Sequence, residues 1–107
     1  MAVHDNLNSN LVKLNLTQFE SKTYTATAKG QTITFTNIPI FLILTDGIRQ
    51  MIYDVESETS IYISTTNAYP SIMFKDYFSL SANVLTTLND GSNVFGSAST
   101  VRVLGFY

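Results

Sequence analysis

Residues 22–37 read KTYTATAKGQTITFTN, with threonine at every second position on both sides of a Lys-Gly pair. A period of two is typical of β-strands that bury one face. A two-residue loop at Lys29 and Gly30 predicts a β-hairpin in which Tyr24 lies opposite Phe35. This register makes one face of the hairpin apolar and the other uniformly polar, so the sequence specifies it strongly.

The polar face of this predicted hairpin is a candidate interaction face. A flat row of threonines suits a protein interface or a ligand-binding face. The competing explanation is β-propensity alone, because threonine is favoured on solvent-exposed strand faces. The residues of this face are Thr23, Thr25, Thr27, Thr32, Thr34 and Thr36.

The remaining chain shows further strand patterns and no convincing helix. Residues 11–19 alternate between apolar and polar side chains, whereas residues 40–44 form a continuous apolar run that predicts a strand covered on both faces. Residues 100–107 alternate again and predict a closing strand. The fold class expected is all-β, a single-domain antiparallel β-sandwich or jelly roll of about eight strands. A flexible N-terminal arm is expected at residues 1–10, followed by the sandwich domain at residues 11–107.

The middle of the chain predicts a three-stranded meander over residues 40–65. Two-residue turns are expected at Asp46-Gly47 and at Ser57-Glu58. They predict three facing pairs: Leu42 with Met51, Ile40 with Tyr53, and Tyr53 with Tyr62.

Residues 72–88 are ambiguous between a short helix and strands broken near residues 81–83. Tyrosine, phenylalanine and valine are enriched in this region and no helix cap is evident, which favours strands. The apolar alternation of the whole chain predicts these core residues: Tyr24, Ile33, Phe35, Leu42, Ile52, Ile63, Val101 and Val103.

The composition excludes several classes of function. The chain of 107 residues has no cysteine, which excludes disulfides, thiolate metal sites and cysteine nucleophiles. Only 13% of its residues are charged, the net charge is −2, and the six basic residues are scattered, so neither nucleic acid nor an anionic membrane is an expected partner. An apolar content of 45% with so few charges indicates self-association.

No pattern of catalytic residues is present. His4 is the only histidine and lies in the predicted arm, where a catalytic triad or a histidine metal site would lack rigid support. Asp54, Glu56 and Glu58 could ligate calcium, but their spacing also fits a solvated turn, the interpretation favoured here. The sequence therefore predicts no enzyme, no cofactor and no metal.

The C-terminal stretch STVRVLGFY, residues 99–107, looks like the closing strand of small virion modules. With its polar arm, its lack of cysteine and its richness in Asn, Ser and Thr, the chain resembles the small β-rich modules of bacteriophage virions, such as head decoration, fibre and receptor-binding domains. The resemblance implies a structural or assembly protein that forms a homo-oligomer, with a trimer as the first expectation, and docks on other virion or cell-surface proteins. It also implies location in the virion. Residues 1–6 lack the features of a signal peptide and no apolar run is long enough to span a bilayer, so synthesis as a soluble cytosolic chain is expected.

The alternative function is a carbohydrate-binding or receptor-binding β-sandwich. Such a protein would use tyrosine rings as stacking platforms, displayed in a concavity beside polar groups. An assembly protein would instead place its aromatic side chains in flat protein contacts. The candidate stacking residues are Tyr62, Tyr69 and Tyr77.

Overall fold

The computed structural model of the chain describes residues 18–64, 72–89, 94–96 and 98–107, together with the backbone of residues 67–68. The arm expected at residues 1–10 and nearly all of the strand expected at residues 11–19 lie outside the described residues.

The described residues form nine strands and one helix of four residues. No helix among them is long and apolar enough to cross a membrane. The elements are β1 (Phe19–Thr25), β2 (Thr32–Thr34), β3 (Phe41–Thr45), β4 (Arg49–Asp54), β5 (Thr59–Ser64), β6 (Asn67–Ala68), α1 (Phe74–Tyr77), β7 (Phe78–Ser81), β8 (Val84–Thr87) and β9 (Thr100–Phe106).

The strands form two antiparallel sheets. The first has six strands in the order β1-β9-β3-β4-β5-β6, and the second has three in the order β2-β8-β7. Buried side chains from both sheets meet in one core. Within that core, the ring of Phe74 stacks on Tyr53 of β4 with centroids 3.7 Å apart, and on Phe78 of β7 at 5.3 Å. The predicted all-β antiparallel sandwich is therefore confirmed.

The predicted hairpin of residues 22–37 does not form, but the prediction of its buried and exposed side chains is correct. β1 pairs with β9, and β2 pairs with β8 in the other sheet. Tyr24, Ile33 and Phe35 are nevertheless buried, and all six threonines are exposed. Both strands bury an apolar face in the same core from opposite sides, so alternation alone does not distinguish a hairpin from a crossing between sheets.

Side-chain hydrogen bonds stabilise the crossing from β1 to β2. Gln31 Nε2 donates to the carbonyl oxygens of Thr25 and Ala28, at 2.8 and 3.0 Å. The buried Thr87 of β8 donates its hydroxyl to the Ala28 carbonyl and accepts from the backbone N–H of Gln31. These contacts hold the crossing segment against β8 of the second sheet.

The β3–β4–β5 meander is present, but its registers differ by two residues from those predicted. Leu42 pairs with Tyr53, and Met51 pairs with Tyr62. The predicted pairs of Leu42 with Met51, Ile40 with Tyr53 and Tyr53 with Tyr62 are therefore wrong. A shift of two residues preserves the buried face, so the pattern of burial does not reveal the error.

The first turn of the meander explains its register. Gly47 has φ +95°, and Asp46 Oδ1 accepts the backbone N–H groups of Ile48 and Arg49 at 2.9 and 2.7 Å. The central residues of the turn are therefore Gly47 and Ile48, with glycine in the first position, where a positive φ is required. The predicted turn with Asp46 and Gly47 at its centre is therefore wrong by one residue.

Residues 78–87 confirm the preference for strands over helix. β7 ends at Ser81 and β8 begins at Val84, with Ala82 at φ +52° between them. The prediction did not include α1, a single helical turn that places Phe74 in the core.

Six of the eight predicted core residues are buried, and Ile52 and Ile63 are not. Both lie at outward positions of β4 and β5, where they are only half-buried. Met51 and Tyr53 take the inward positions of β4. The apolar run at residues 40–44 is likewise buried on one face only, because its other face forms part of the outer surface of the sheet.

Candidate functional site

Three phenylalanines lie side by side on the outer face of the six-stranded sheet. Phe106 of β9 pairs with Phe19 of β1 on one side and with Phe41 of β3 on the other. The ring centroids are 5.5 Å apart for Phe19 and Phe106, and 6.2 Å apart for Phe41 and Phe106. These are distances at which aromatic pairs stabilise one another. Phe19 is 57% exposed, so the row is open to solvent at the edge of the sheet.

A row of aliphatic side chains runs across four strands beside the phenylalanines. Leu104 of β9 pairs with Ile43 of β3, Ile43 with Ile52 of β4, and Ile52 with Ile61 of β5. Ile61 is 53% exposed, and the other three are half-buried. The two rows together are called the apolar outer face, which consists of Phe19, Phe41, Ile43, Ile52, Ile61, Leu104 and Phe106.

Polar residues border the apolar outer face. In the next row of the sheet, Arg102 and Gln50 lie on either side of Thr45, and the half-buried Ile63 of β5 follows Gln50. At the other border, Asp54 and Thr59 continue the phenylalanine row onto β4 and β5. An apolar centre with a polar rim is the usual composition of a protein interface.

An open depression of about 210 Å³ lies at the β4–β5 side of the apolar outer face. Small-molecule sites usually have volumes of about 300–1,000 Å³. The depression is smaller than that and has the size of one large side chain. Its lining residues are Phe41, Ile52, Asp54, Thr59, Ser60 and Ile61.

The carboxylates with perturbed pKa values have structural partners. Burial raises the pKa of Asp46, but hydrogen bonds from the backbone of Arg49, Ile48 and Gly96, together with the Arg49 charge, bring it below its ordinary value. Asp46 Oδ2 also lies 3.3 Å from the guanidinium Nε of Arg49. This carboxylate thus ties the β3–β4 turn to residues 94–96.

Of the three acidic residues near the second turn of the meander, one stabilises the turn and two are exposed to solvent. Asp54 Oδ1 accepts the backbone N–H groups of Glu56 and Ser57, at 3.1 and 3.4 Å. Glu56 and Glu58 are exposed. Among the described residues, no group of three or more histidine or carboxylate side chains is placed to hold a metal ion.

The six threonines of the predicted interaction face do not form one surface. Thr23 and Thr25 lie on β1 beside the apolar outer face, whereas Thr32 and Thr34 lie on the outer face of the second sheet. The pairing of β1 and β2 with different partners separates them. The remaining two, Thr27 and Thr36, are exposed in the segments that flank β2.

The two outer faces of the sandwich are chemically opposite. On the three-stranded sheet, Thr32, Thr86 and Ser79 form one row across β2, β8 and β7. Val84 pairs with Thr34 and Ser81 in the next row, so hydroxyl groups dominate that face. A hydroxyl face is well solvated by water, whereas an apolar face is stabilised when a partner covers it.

The candidate stacking tyrosines are not displayed together. Tyr62 is buried, and its hydroxyl donates to the carbonyl oxygen of Val94. Its ring therefore has no face open to a ligand. Tyr77 is half-buried at the end of α1 and packs against the core. Tyr69 lies outside the described residues.

Comparisons of the chain with protein-family models, with curated proteins and with solved structures found no significant match.

Sequence reasoning did not find the apolar outer face, although a signal for it was present. The segments that form β3 and β4 carry apolar residues at consecutive positions, so both faces of each strand are apolar. Examples are Phe41 to Leu44 and Met51 to Tyr53. A strand with two apolar faces is either covered on both sides or has one face left for a partner. For residues 40–44 the sequence analysis predicts a strand covered on both sides, and the structure shows the other arrangement.

Proposed function

We propose that the protein is a non-enzymatic structural or assembly module of the virion decoration or fibre type, which associates with copies of itself and docks on other virion or cell-surface proteins. The observation that carries this proposal is the apolar outer face. Its two rows leave large apolar side chains in water, where Phe19 and Ile61 are each more than half exposed. Covering such side chains is favourable by the hydrophobic effect.

The size of the apolar outer face supports a role in binding. The face extends over five strands spaced about 4.8 Å apart and over two rows of side chains about 7 Å apart. Its area is therefore on the order of 300 Å². That is comparable to the largest apolar patch on a typical monomeric protein, which is often a functional surface. A flat apolar area of this size with a polar rim suits protein–protein contact.

The placement of the tyrosines favours assembly over the carbohydrate-binding alternative. A stacking platform needs an exposed ring beside polar groups. Tyr62 is buried and bonded to Val94, whereas the exposed aromatic ring of Phe19 lies on a flat sheet face. The aromatic surface of the described residues therefore has the geometry expected of a docking protein.

Mass measurement over a range of concentrations tests the proposal. We expect the wild-type protein to associate reversibly in light scattering and sedimentation velocity. Ile61→Lys should shift the protein towards the monomer, because it places a charge on the apolar outer face. Ile61 is already 53% exposed, so the fold should tolerate the change.

The chain offers a matched control. Ile48 is 61% exposed in the β3–β4 turn, outside the apolar outer face. Ile48→Lys should leave the mass distribution of the wild type unchanged. A wild-type protein that remains monomeric at the highest concentration reached would refute self-association.

A further inference from the structure

We infer that a second copy of this chain docks on the apolar outer face through a two-fold contact, in which Arg102 of each copy binds Asp54 of the other. The inference rests on the proposed function, and it names the partner, the surface and the pair of charges that sets their relative orientation. It commits to a dimer rather than to the trimer expected from the resemblance to virion modules.

The register places the two charges symmetrically about one residue. β9 and β4 are the two neighbours of β3, with Arg102 opposite Thr45 and Asp54 opposite Phe41. Ile43 lies midway between Thr45 and Phe41 on the same strand. Arg102 and Asp54 are four residues apart along the strand direction and two strand spacings apart across the sheet, which gives a separation of about 17 Å. They are therefore too far apart to pair within one copy.

This symmetry makes the face complementary to itself. Consider a two-fold axis that lies in the plane of the contact and passes over Ile43, perpendicular to the line from Arg102 to Asp54. Rotation about this axis brings each charge of one copy onto the opposite charge of the other. Contacts of this kind are isologous, the commonest type in homodimers. The strands of the two copies would cross at roughly 70°, close to the orthogonal class of sheet packing.

The surroundings of Asp54 suit an incoming arginine. Asp54 lines the depression together with Phe41, Ile52, Ile61 and the hydroxyl-bearing Thr59. An arginine buries its aliphatic stem along apolar surface and binds a carboxylate with two parallel hydrogen bonds. The volume of about 210 Å³ is that of one large side chain. Asp54 Oδ1 is already fixed by the backbone N–H of Glu56, so less rotational freedom remains to be lost on binding.

The area of the contact predicts a weak, reversible dimer. With the bordering polar row included, the face covers on the order of 500 Å² per copy, or about 1,000 Å² for the pair. Stable specific interfaces bury about 1,200–2,000 Å² in total. Association should therefore be measured by sedimentation at concentrations up to about 1 mM.

Charge reversal tests the pairing. Arg102→Glu alone and Asp54→Lys alone each create like-charge contacts on both sides of the two-fold axis, so each variant should raise the dissociation constant at least tenfold. A mixture of the two single variants should associate again, because in the heterodimer the introduced glutamate meets the introduced lysine while the native Arg102 meets the native Asp54. The double variant should also recover the wild-type mass.

Two further variants keep the test decisive. Lys75→Glu reverses an exposed charge on α1, away from the contact, and should leave the dissociation constant unchanged. If Asp54→Lys does not fold, Asp54→Asn keeps an oxygen to accept the turn N–H groups, and it should weaken the dimer and reduce the dependence of association on salt. Folding of every variant is checked by its melting curve.

The outcomes separate this inference from the proposed function. If Ile61→Lys disrupts association while the charge variants and their mixture behave as the wild type, the face is used but the Arg102–Asp54 pairing is overturned. If the wild type does not associate at all, both fail. If substitutions on the apolar outer face lower the melting temperature but leave the mass of the protein in solution unchanged, another part of the same chain covers that face. A second copy is then ruled out as its partner.

Discussion

The ring of Phe35 packs directly against the backbone of Gly105, so the segment after β2 meets strand β9 with no side chain between them. A Cβ atom at position 105 would lie 2.7 Å from Cε1 of Phe35 and 2.9 Å from Cδ1. Phe35 is only 1% exposed, which leaves its ring no open space to move into. The absence of a side chain at Gly105 therefore allows the two sheets to approach each other at this point.

Gly105→Ala should lower the free energy of unfolding by about 1–3 kcal/mol, because the added methyl group overpacks the core. Urea denaturation measures the change. In a Phe35→Leu background the smaller side chain relieves the contact, so the same substitution should cost less. An equal cost in both backgrounds would show that the close approach to Phe35 is not the cause.

Gly47→Ala should lower the free energy of unfolding by about 1 kcal/mol, because φ at this position is +95° and only glycine adopts it without strain. Apart from its two chain neighbours, no described residue has an atom within 4 Å of a Cβ built there, so the penalty is conformational and not steric. Gly47→Asn should cost less than Gly47→Ala, since asparagine tolerates positive φ better. Equal urea midpoints for the wild type and Gly47→Ala would contradict this account of the turn.

Glu20 of β1 binds the segment that follows β2 through a carboxylate whose effect depends on pH. Hydrogen bonds from the backbone N–H groups of Asn37 and Thr36, at 3.0 and 2.9 Å, hold the pKa of Glu20 below its ordinary value. Because the pKa is lower in the folded state, the stabilisation is present above the ordinary pKa of 4.5 and is lost as the pH falls through the lower folded value. Glu20→Gln should therefore lower the melting temperature at pH 7 and have a smaller effect in strong acid.

The control for this prediction is Glu56→Gln, at an exposed carboxylate of the β4–β5 turn. It should change the melting temperature little at either pH. A constant difference between Glu20→Gln and the wild type across the acid range would show that the Glu20 charge does not contribute.

Tyr24 should make the fold sensitive to alkali. Its hydroxyl is buried and has no hydrogen-bond partner among the described residues, and burial raises the pKa of Tyr24 well above 10. The folded state then keeps its proton while the unfolded state loses one, so stability is full below pH 10 and falls as the pH rises further. Tyr24→Phe should reduce this loss and have little effect at pH 7.

Some alkaline sensitivity should remain in Tyr24→Phe, because burial and the neighbouring Glu58 and Asp54 also raise the pKa of Tyr53. Melting curves between pH 8 and 11 measure both contributions. Identical slopes of stability against pH for the wild type and Tyr24→Phe would contradict the assignment to Tyr24.

The apolar outer face could be predicted only in part. The apolar surplus of the sequence indicates self-association, whereas the apolar run at residues 40–44 predicts a strand covered on both faces and so does not point to this surface. Which residues form that surface could not be read, because Ile52 and Met51 are adjacent and equally apolar. The packing of α1 against β4, with Phe74 on Tyr53, accompanies the inward orientation of Met51 and Tyr53 and leaves Ile52 outside.

Alternation along the chain is enough to predict the strands and the burial of Tyr24, Ile33 and Phe35, because successive Cβ atoms in a strand point to opposite faces whatever the strand pairs with. The pairing partners of these strands depend on tertiary packing. Tyr24 pairs with Val101 rather than with Phe35, and Ile33 pairs with Leu85. Local alternation is the same in a hairpin and in a crossing between sheets. The crossing forms because strands far apart in sequence must pair to enclose one core between the two sheets.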